Sequence, residues 1–291
     1  MSWLFAPATS SRHSRNALDY PCDVAIIDLE DGVSRERKAE GRAAATELLE
    51  RREREAPLAF VRINPPATEL GRADLEAVVV AQLAGVIVPK VSSPVEIEAL
   101  DWTLSRLERG RGIRAGQVAI LPLLETARGL EAAREIAAAS PRVCALALGV
   151  ADLAADLGVH LGTPSPLLDA ARAALVLACR AARVGAPVDA VHLDLADLSG
   201  LEREAVLARE LGFQGKACIH PRQVEVVRRV FQPSGSELEW ARRVLAAFGA
   251  AQAEGRSALV VEGEFVDYAV VERARRLLRE ADVSQAVSRS Q

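Results

Sequence analysis

The stretch Val24-Ala25-Ile26-Ile27-Asp28-Leu29-Glu30-Asp31 is a short apolar run that ends in carboxylates. It is one of eight such runs, each bounded by glycine, proline or polar residues. This is the pattern of strands that are buried on both faces of a parallel sheet. The runs cover residues 3–7, 24–31, 58–64, 85–90, 118–126, 144–150, 190–197 and 215–221.

Stretches rich in Ala, Leu, Glu and Arg separate the runs and have helical periodicity, for example residues 35–54, 94–109 and 167–183. Strand and helix alternate as in an α/β (β/α)8 TIM barrel, a fold whose usual size is about 250 residues. The chain of 291 residues therefore predicts a barrel over 1–232 and a C-terminal helical extension over 233–291. Within the extension we expect a helix over 237–253, an apolar run over 259–261 and a helix over 264–280.

Composition excludes several classes of protein. The formal net charge is -4 and no basic block is present, so we expect no nucleic-acid partner. No run approaches the roughly 20 apolar residues that span a bilayer, and the first residues lack the pattern of a signal peptide. We therefore expect a soluble, cytoplasmic protein without a membrane partner. Its four cysteines show no CxxC spacing, which is typical of reduced core residues.

Arg62 is the most informative charged residue inside the predicted barrel. Alternate side chains of a barrel strand point inward or toward the helices, which puts Ile27 and Leu29 outside and Asp28, Glu30 and Arg62 inside. A buried guanidinium is costly unless carboxylates or an anionic ligand accompany it. We expect Asp28 and Glu30 beside Arg62, and a purely structural ion-pair network is the alternative.

Glu125 and Asp152 predict a metal site. Glu125 lies at the end of the fifth run and Asp152 follows the sixth, so a barrel brings both carboxylates to the same rim. Mg²⁺ typically takes one or two protein carboxylates and keeps positions for water and substrate oxygens. The sequence contains no Cys/His cluster of the kind that would indicate a zinc site. The alternative is that the two carboxylates cap the helices that follow them.

Six segments carry a resemblance to a known family. They are Asp28-Leu29-Glu30-Asp31-Gly32-Val33, Val61-Arg62-Ile63-Asn64-Pro65, Val88-Pro89-Lys90, Leu124-Glu125-Thr126-Ala127-Arg128-Gly129, Gly149-Val150-Ala151-Asp152-Leu153 and Ile219-His220-Pro221-Arg222-Gln223. In this order, within a match from Trp3 to about Leu278, they resemble the citrate lyase beta subunit (citryl-CoA lyase)-like family of the HpcH/HpaI aldolase superfamily. The resemblance implies a lyase that cleaves or forms a carbon–carbon bond between an acyl thioester and a keto acid, with Mg²⁺ as cofactor.

The resemblance also implies roles for individual residues. Glu125 and Asp152 are the implied Mg²⁺ ligands, and Arg62 holds the substrate carboxylate and stabilises developing negative charge. The main-chain amides of residues 149–152, which include Gly149, Val150 and Ala151, bind the keto acid's carboxylate. Glu30 and Asp31 are further catalytic candidates. Asp31 stands where the hydroxy-keto-acid aldolase branch has a basic histidine, so the sequence favours the acyl-CoA branch.

In the acyl-CoA branch the reacting proton passes through an aspartate of an adjacent subunit's C-terminal segment. Val266-Asp267, ahead of Val270-Val271-Glu272-Arg273-Ala274-Arg275, matches that segment, although Ala269 replaces a proline usual in the family. The resemblance thus implies Asp267 as proton donor and a homo-oligomer, a trimer, whose extension caps a neighbouring subunit's site. On its residue type and setting alone, Asp267 is interpreted as a surface turn residue.

Other polar residues near the predicted rim are further candidates. Lys90 binds a CoA phosphate, pairs with Glu30 or is simply solvated, and His220 either makes structural hydrogen bonds or transfers protons. His192 shares inward parity with Asp194 and is expected to pair with polar neighbours. In the amino-terminal loop, where the family has a Gly-Asp motif, Arg12 and Arg15 are the candidate nucleotide contacts.

Three hypotheses for function follow. The first is a freestanding Mg²⁺-dependent lyase acting on a hydroxyacyl-CoA such as citryl-CoA, which gives acetyl-CoA and oxaloacetate, or on malyl-CoA, with synthase or thioesterase variants. The second is a citrate lyase beta subunit that works on an acyl-carrier thioester beside acyl carrier and transferase subunits. The third is a non-catalytic keto-acid sensor, against which Arg62, Glu125, Asp152 and Asp267 argue.

Overall fold

The computed structural model describes residues 1–9, 11–52, 57–161 and 165–289. Eight parallel strands close into a barrel in chain order, each paired with the next and the eighth with the first. The strands are β1 (Ser2–Pro7), β2 (Val24–Asp28), β3 (Leu58–Arg62), β4 (Gly85–Val88), β5 (Ala119–Leu124), β6 (Ala147–Leu148), β7 (Val188–Asp189) and β8 (Gly215–Cys218). The predicted (β/α)8 TIM barrel is confirmed.

Helices follow the strands around the outside of the barrel. They are α1 (Ser11–Asp19), α2 (Lys38–Glu50), α3 (Glu69–Val78), α4 (Pro94–Gly110), α5 (Ala127–Glu131), α6 (Ala133–Ala138), α7 (Val150–Leu157), α8 (Pro166–Ala182), α9 (Leu198–Leu211) and α10 (Pro221–Phe231). Several begin at a side chain that accepts a main-chain N–H of the first turn, as Thr68, Thr126 and Asp197 do. These caps set where each helix leaves the rim of the barrel.

The strand parity expected from the sequence is present. Ile27, Leu29, Val61 and Ile63 are buried in the apolar layer between strands and helices. A separate apolar cluster lines the interior of the barrel, formed by Trp3, Val24, Ile26, Phe60, Ile87, Leu121, Leu123, Ala145, Ala147 and Val188. The inward positions at the carboxyl end are therefore the ones available to polar side chains.

The seventh run was placed too late by the sequence pattern. Residues 190–197 alternate between apolar and polar, which mimics a strand, but β7 is Val188–Asp189 and the later residues form a loop. Asp194 turns that loop by accepting the N–H groups of Ala196 and Asp197. Leu193 is 53% exposed, so the loop is not part of the buried sheet. The inward parity expected for His192 and Asp194 was therefore wrong.

The chain separates into two compact units, Met1–Phe231 and Gln232–Gln291. The second unit contains α11 (Gly235–Ala253), β9 (Leu259–Val261), β10 (Glu264–Val266) and α12 (Tyr268–Arg289). The helix expected over 264–280 is wrong at its start, because residues 264–266 pair antiparallel with β9. The core of the second unit includes Val244, Phe248, Val266 and Val271. That this unit caps a neighbouring subunit's site stays a prediction.

Across the described ranges, no helix is both long enough and apolar enough to cross a membrane.

Candidate active site

A cavity opens at the carboxyl end of the barrel strands. Its volume is about 140 Å³, and it reaches from Asp31, Arg62, Glu125 and Asp152 at the rim to Trp3 inside the barrel. Active sites of this fold lie at the same end, where the loops after the strands converge. The rim therefore places four of the predicted site residues around one space.

Arg62 is held by a bidentate ion pair with Asp28, its direct neighbour across β2 and β3. Nε lies 2.8 Å from Oδ1 and Nη2 lies 2.7 Å from Oδ2, while Nη1 lies 3.0 Å from Oε2 of Glu30 and 3.9 Å from Oδ2 of Asp31. Burial lowers the pKa of Arg62, but the hydrogen bonds that it donates to Asp28 and the charges of the nearby carboxylates raise it above its ordinary value. The guanidinium is therefore a fixed positive charge with a defined plane.

Asp28 also shapes the chain that follows β2. Its Oδ1 accepts the N–H of Glu30 at 2.9 Å, and its Oδ2 accepts the N–H of Gly32 at 2.8 Å. A β-carbon at position 32 would crowd the Asp28 carboxylate, so glycine allows this close approach. Asp28 thus positions both Arg62 and the Glu30 segment.

Glu30 is a buried carboxyl whose pKa is suited to proton transfer. Burial raises the pKa of Glu30 to about 7, although Arg62 and Lys90 act in the opposite direction. Its Oε1 lies 3.7 Å from Nζ of Lys90. A group that titrates near neutral pH can both accept and release a proton under cellular conditions.

Glu125 follows β5 and is only 3% exposed. Its Oε1 accepts the main-chain N–H of Lys90 at 2.8 Å, and its Oε2 packs so closely against Gly149 that a β-carbon there would overlap it. Burial, followed by repulsion from Glu30, raises the pKa of Glu125 to about 8, and Asp152 adds to the effect. The carboxylate is therefore rigid and short of positive charge.

Asp152 lies in the first turn of α7, with its side chain 47% exposed and its Oδ2 3.8 Å from Nζ of Lys90. The capping alternative is not what the structure shows. Thr126 caps α5, and the N-cap of α7 is Gly149, which has no side chain to form a cap. Glu125 instead accepts a main-chain N–H from the neighbouring strand's end.

The cluster of charges fits a divalent cation. Among the described residues at this rim, five carboxylates stand against two cations: Asp28, Glu30, Asp31, Glu125 and Asp152 against Arg62 and Lys90. Within the described ranges, no three His, Cys, Asp or Glu side chains converge as a ready-made metal cage. Mg²⁺ suits such a site, because it uses few carboxylates and takes its other ligands from water and substrate.

The remaining predicted residues have varied positions. Val150 and Ala151 line the cavity with Gly149, whereas Asp194 sits in its own turn. Asp267, in the C-terminal unit, accepts the N–H groups of Ala269 and Val270 at the start of α12.

The two candidate histidines both have polar partners within the barrel unit. His220 accepts the N–H of Arg222 through Nδ1, and Nδ1 of His192 lies 3.0 Å from Oε1 of Glu204. The side chain of Arg12 and residue Ser10 of the same loop lie outside the described residues.

The sequence pattern did not predict two features of the site. Lys90 contributes its main-chain N–H rather than only its side chain, and it does so from a left-handed conformation with φ 55°. Phe5 places its ring 5.1 Å from the guanidinium carbon of Arg62. The pattern of β1 marks Phe5 only as an apolar strand residue, so no sequence signal distinguishes it.

The chain is similar to known proteins in sequence and in fold. The family model described as HpcH/HpaI aldolase/citrate lyase matches residues 1–221. A (3S)-malyl-CoA thioesterase of Cereibacter sphaeroides is 35% identical over 98% of this chain and 95% of its own. The citrate lyase subunit beta of Haemophilus influenzae is 31% identical over 96% of each chain. A crystal structure of CitE from Mycobacterium tuberculosis in complex with magnesium, acetoacetate and coenzyme A has a TM-score of 0.78 and 35% identity, covering 97% of each chain.

Proposed function

The chain belongs to the HpcH/HpaI aldolase/citrate lyase family, and from that premise we propose that it is a Mg²⁺-dependent lyase of hydroxyacyl-CoA thioesters. Its substrate is the CoA thioester of a 3-hydroxy acid, and its products are acetyl-CoA and a 2-keto acid. The observation that carries the proposal is the placement of Glu125, Asp152 and Arg62 around one cavity. The magnesium in the similar CitE structure supports the choice of metal.

Glu125 and Asp152 would hold the metal ion. When bound, Mg²⁺ acts as a Lewis acid that favours negative charge on the substrate oxygens near it. The N–H of Lys90 and the close packing of Gly149 keep the Glu125 carboxylate in one orientation, so no side-chain freedom is lost when a ligand arrives.

Arg62 orients the substrate carboxylate. Asp28 occupies Nε and Nη2, which leaves Nη1 as the nitrogen directed toward Glu30 and Asp31 at the rim. A fixed guanidinium recognises a carboxylate with little reorganisation and also stabilises negative charge that develops during cleavage. Main-chain N–H groups of residues 149–152, at the start of α7, add positive potential at the same rim.

Glu30 is the proposed base. In the cleavage direction its carboxylate takes the proton of the substrate hydroxyl, the carbon–carbon bond breaks, and the electron pair passes to the acetyl thioester as an enolate. Its pKa of about 7 leaves a substantial fraction of the carboxylate ionised at neutral pH. Asp267, supplied by an adjacent subunit of a homotrimer, then protonates the enolate carbon.

Hydrolysis is a second candidate activity, which the similarity to a (3S)-malyl-CoA thioesterase over 98% of the chain favours. In that case water attacks the thioester, and the products are free CoA and a hydroxy acid rather than acetyl-CoA and a keto acid. The two reactions share a substrate but differ in both products, so product analysis separates them.

The test is product analysis on malyl-CoA and citryl-CoA with the purified chain and Mg²⁺. From any thioester that is cleaved we expect acetyl-CoA and the corresponding keto acid in equal amounts, and loss of both in the Arg62→Ala variant. Free CoA with a hydroxy acid would favour hydrolysis. No turnover of either CoA thioester, followed by turnover once an acyl-carrier thioester is supplied, would favour a citrate lyase beta subunit.

A further inference from the structure

The cavity does not stop at the metal-binding rim. It continues into the barrel, where interiors of this fold are normally filled by layers of branched side chains. On the side of β1 to β5 the cavity wall is bulky, with Trp3, Phe5 and Leu121. On the side of β6 to β8 the wall includes Ala147 and Ala217, together with Ala190 just beyond β7. These small residues leave the space open.

The inner wall is apolar and offers no free positive charge. Arg62 is the one cation among the described cavity-lining residues, and Asp28 already pairs with it at the rim. Asp189 follows the inward-facing Val188 on β7, and its carboxylate turns away from the interior to bond Lys216 and, on α8, Arg172. Nε1 of Trp3 has no partner among the described atoms, but an indole N–H is a neutral donor and does not balance a full charge.

This space corresponds to one group of the substrate, provided the proposed function holds. The carbinol carbon carries a hydroxyl, a carboxylate, the arm that leads to CoA and one further substituent. The hydroxyl and the carboxylate belong at the rim, beside Glu125, Asp152 and Arg62. Because CoA is too large for a cavity of about 140 Å³, the arm that leads to CoA leaves through the mouth of the cavity. The fourth substituent is therefore the one that faces the barrel interior.

We infer that this fourth substituent is uncharged: a hydrogen atom or a short alkyl group. A carboxylate placed there would lose its water against apolar walls without a cation to compensate it. The substrate class is then a hydroxyacyl-CoA whose cleavage gives a monocarboxylic keto acid, such as glyoxylate, pyruvate or 2-oxobutyrate. A dicarboxylic keto acid such as oxaloacetate is excluded by the same reasoning.

The first experiment compares kcat/KM for three thioesters that differ only at the fourth substituent: hydrogen, methyl and carboxymethyl. We expect the methyl compound to be cleaved at least about 100-fold more efficiently than the carboxymethyl compound, because an unpaired charge in an apolar pocket discriminates more strongly than a methylene does. Equal or faster cleavage of the carboxymethyl compound overturns the inference while leaving the lyase proposal intact.

The second experiment measures binding and needs no turnover. Calorimetric titration of the Mg²⁺-loaded protein with pyruvate, 2-oxobutyrate and oxaloacetate is expected to rank the first two above the third by at least about 10-fold. If no thioester is cleaved, the proposed lyase function fails, yet this ranking still decides the nature of the pocket. Tighter binding of oxaloacetate overturns the inference.

Filling the cavity provides the mutational test. Ala217→Leu places a larger side chain in the inner space and is expected to weaken 2-oxobutyrate binding at least about 10-fold more than glyoxylate binding. The matched control is Ala174→Leu on the exposed face of α8, which is expected to keep the wild-type ratio of 2-oxobutyrate affinity to glyoxylate affinity. Circular dichroism shows whether Ala217→Leu is folded. If it is folded and keeps the wild-type ratio of 2-oxobutyrate affinity to glyoxylate affinity, the fourth substituent does not enter the cavity. Ala190→Leu repeats the test if Ala217→Leu is unfolded.

Discussion

The main-chain N–H of Lys90 donates a 2.8 Å hydrogen bond to Oε1 of Glu125, so the residue that follows β4 orients the carboxylate that follows β5. Lys90 adopts φ 55°, a left-handed backbone conformation that residues other than glycine rarely adopt. Backbone strain of this kind persists only where the surrounding structure holds the residue in place, and it is found most often at functional sites. The side chain of Lys90 adds a second effect, because its ammonium lies between Glu30 and Asp152.

Substitutions of Lys90 separate its main chain from its side chain. Lys90→Gly keeps the N–H and suits the left-handed backbone, so we expect Mg²⁺ binding to persist and stability to be retained. Lys90→Val disfavours that backbone by about 1–2 kcal/mol, and we expect both lower stability and weaker Mg²⁺ binding. Urea unfolding and Mg²⁺ calorimetry measure the two effects. Equal Mg²⁺ affinity in the two variants would contradict a role for the main chain.

Gly149→Ala tests the packing against Glu125. The added β-carbon overlaps Oε2 of Glu125, so the carboxylate must rotate away from Lys90 or the start of α7 must move. We expect at least a 10-fold loss of Mg²⁺ affinity, on the scale of about 10–100-fold seen when metal-site supports are removed. Gly110→Ala is the matched control, because a β-carbon there meets nothing within 4 Å. Unchanged affinity in Gly149→Ala would mean that the Glu125 orientation is not needed.

Mixing two inactive variants tests whether Asp267 acts on a neighbouring subunit. Arg62→Ala lacks a working barrel site and Asp267→Asn lacks the proposed donor, so each alone is expected to be inactive. In a closed ring with random mixing, about one site in four joins an intact barrel to an intact extension, and we expect about a quarter of wild-type activity after co-refolding. Activity that stays at the level of two inactive variants would place Asp267 within its own subunit's site, and an Asp267→Asn variant that is active by itself would place Asp267 outside the reaction.

A buried ionic network predicts how stability changes with pH. Burial raises the pKa of Asp189, but Lys216 and Arg172 outweigh it and lower the pKa below its ordinary value. A carboxyl with a lowered folded-state pKa stabilises the protein above its unfolded pKa of about 3.9, and this stabilisation is lost as the pH falls through the folded value.

Lys216→Met leaves one oxygen of Asp189 without its 2.6 Å partner. We expect a loss of about 3–5 kcal/mol in the free energy of unfolding at pH 7. The loss is expected to shrink between pH 5 and pH 3, because the variant has less stabilisation to lose on protonation. Urea unfolding at several pH values measures this. A constant difference across the range would show that the pair does not depress the pKa of Asp189.

The order of strands, the parity of β2 and the pairing of Arg62 with Asp28 were predictable because they follow from short-range periodicity and the closure of the barrel. The ends of the fifth and sixth runs also predicted that Glu125 and Asp152 lie together, and the structure places both on one cavity. Their roles as metal ligands stay predictions.

Other features depend on tertiary packing that no local pattern reports. The left-handed Lys90 lacks the glycine that would mark it, and the inner cavity arises from three alanines on different strands and loops. The position of β7 was misread because the exposed loop after it alternates apolar and polar residues as a strand does. Barrel closure with β6 and β8, not periodicity, decides that Val188–Asp189 is the strand.

The metal site at Glu125 and Asp152 is tested by the number of Mn²⁺ ions bound per chain, measured by electron paramagnetic resonance with Mn²⁺ in place of Mg²⁺. We expect one ion in the wild-type protein, displaced by Mg²⁺, and none at the same concentration in Glu125→Gln or Asp152→Asn. Asp194→Asn, in the separate turn, is the control and is predicted to bind as the wild type does. An ion that remains in Glu125→Gln with unchanged affinity would contradict the assignment of the metal site.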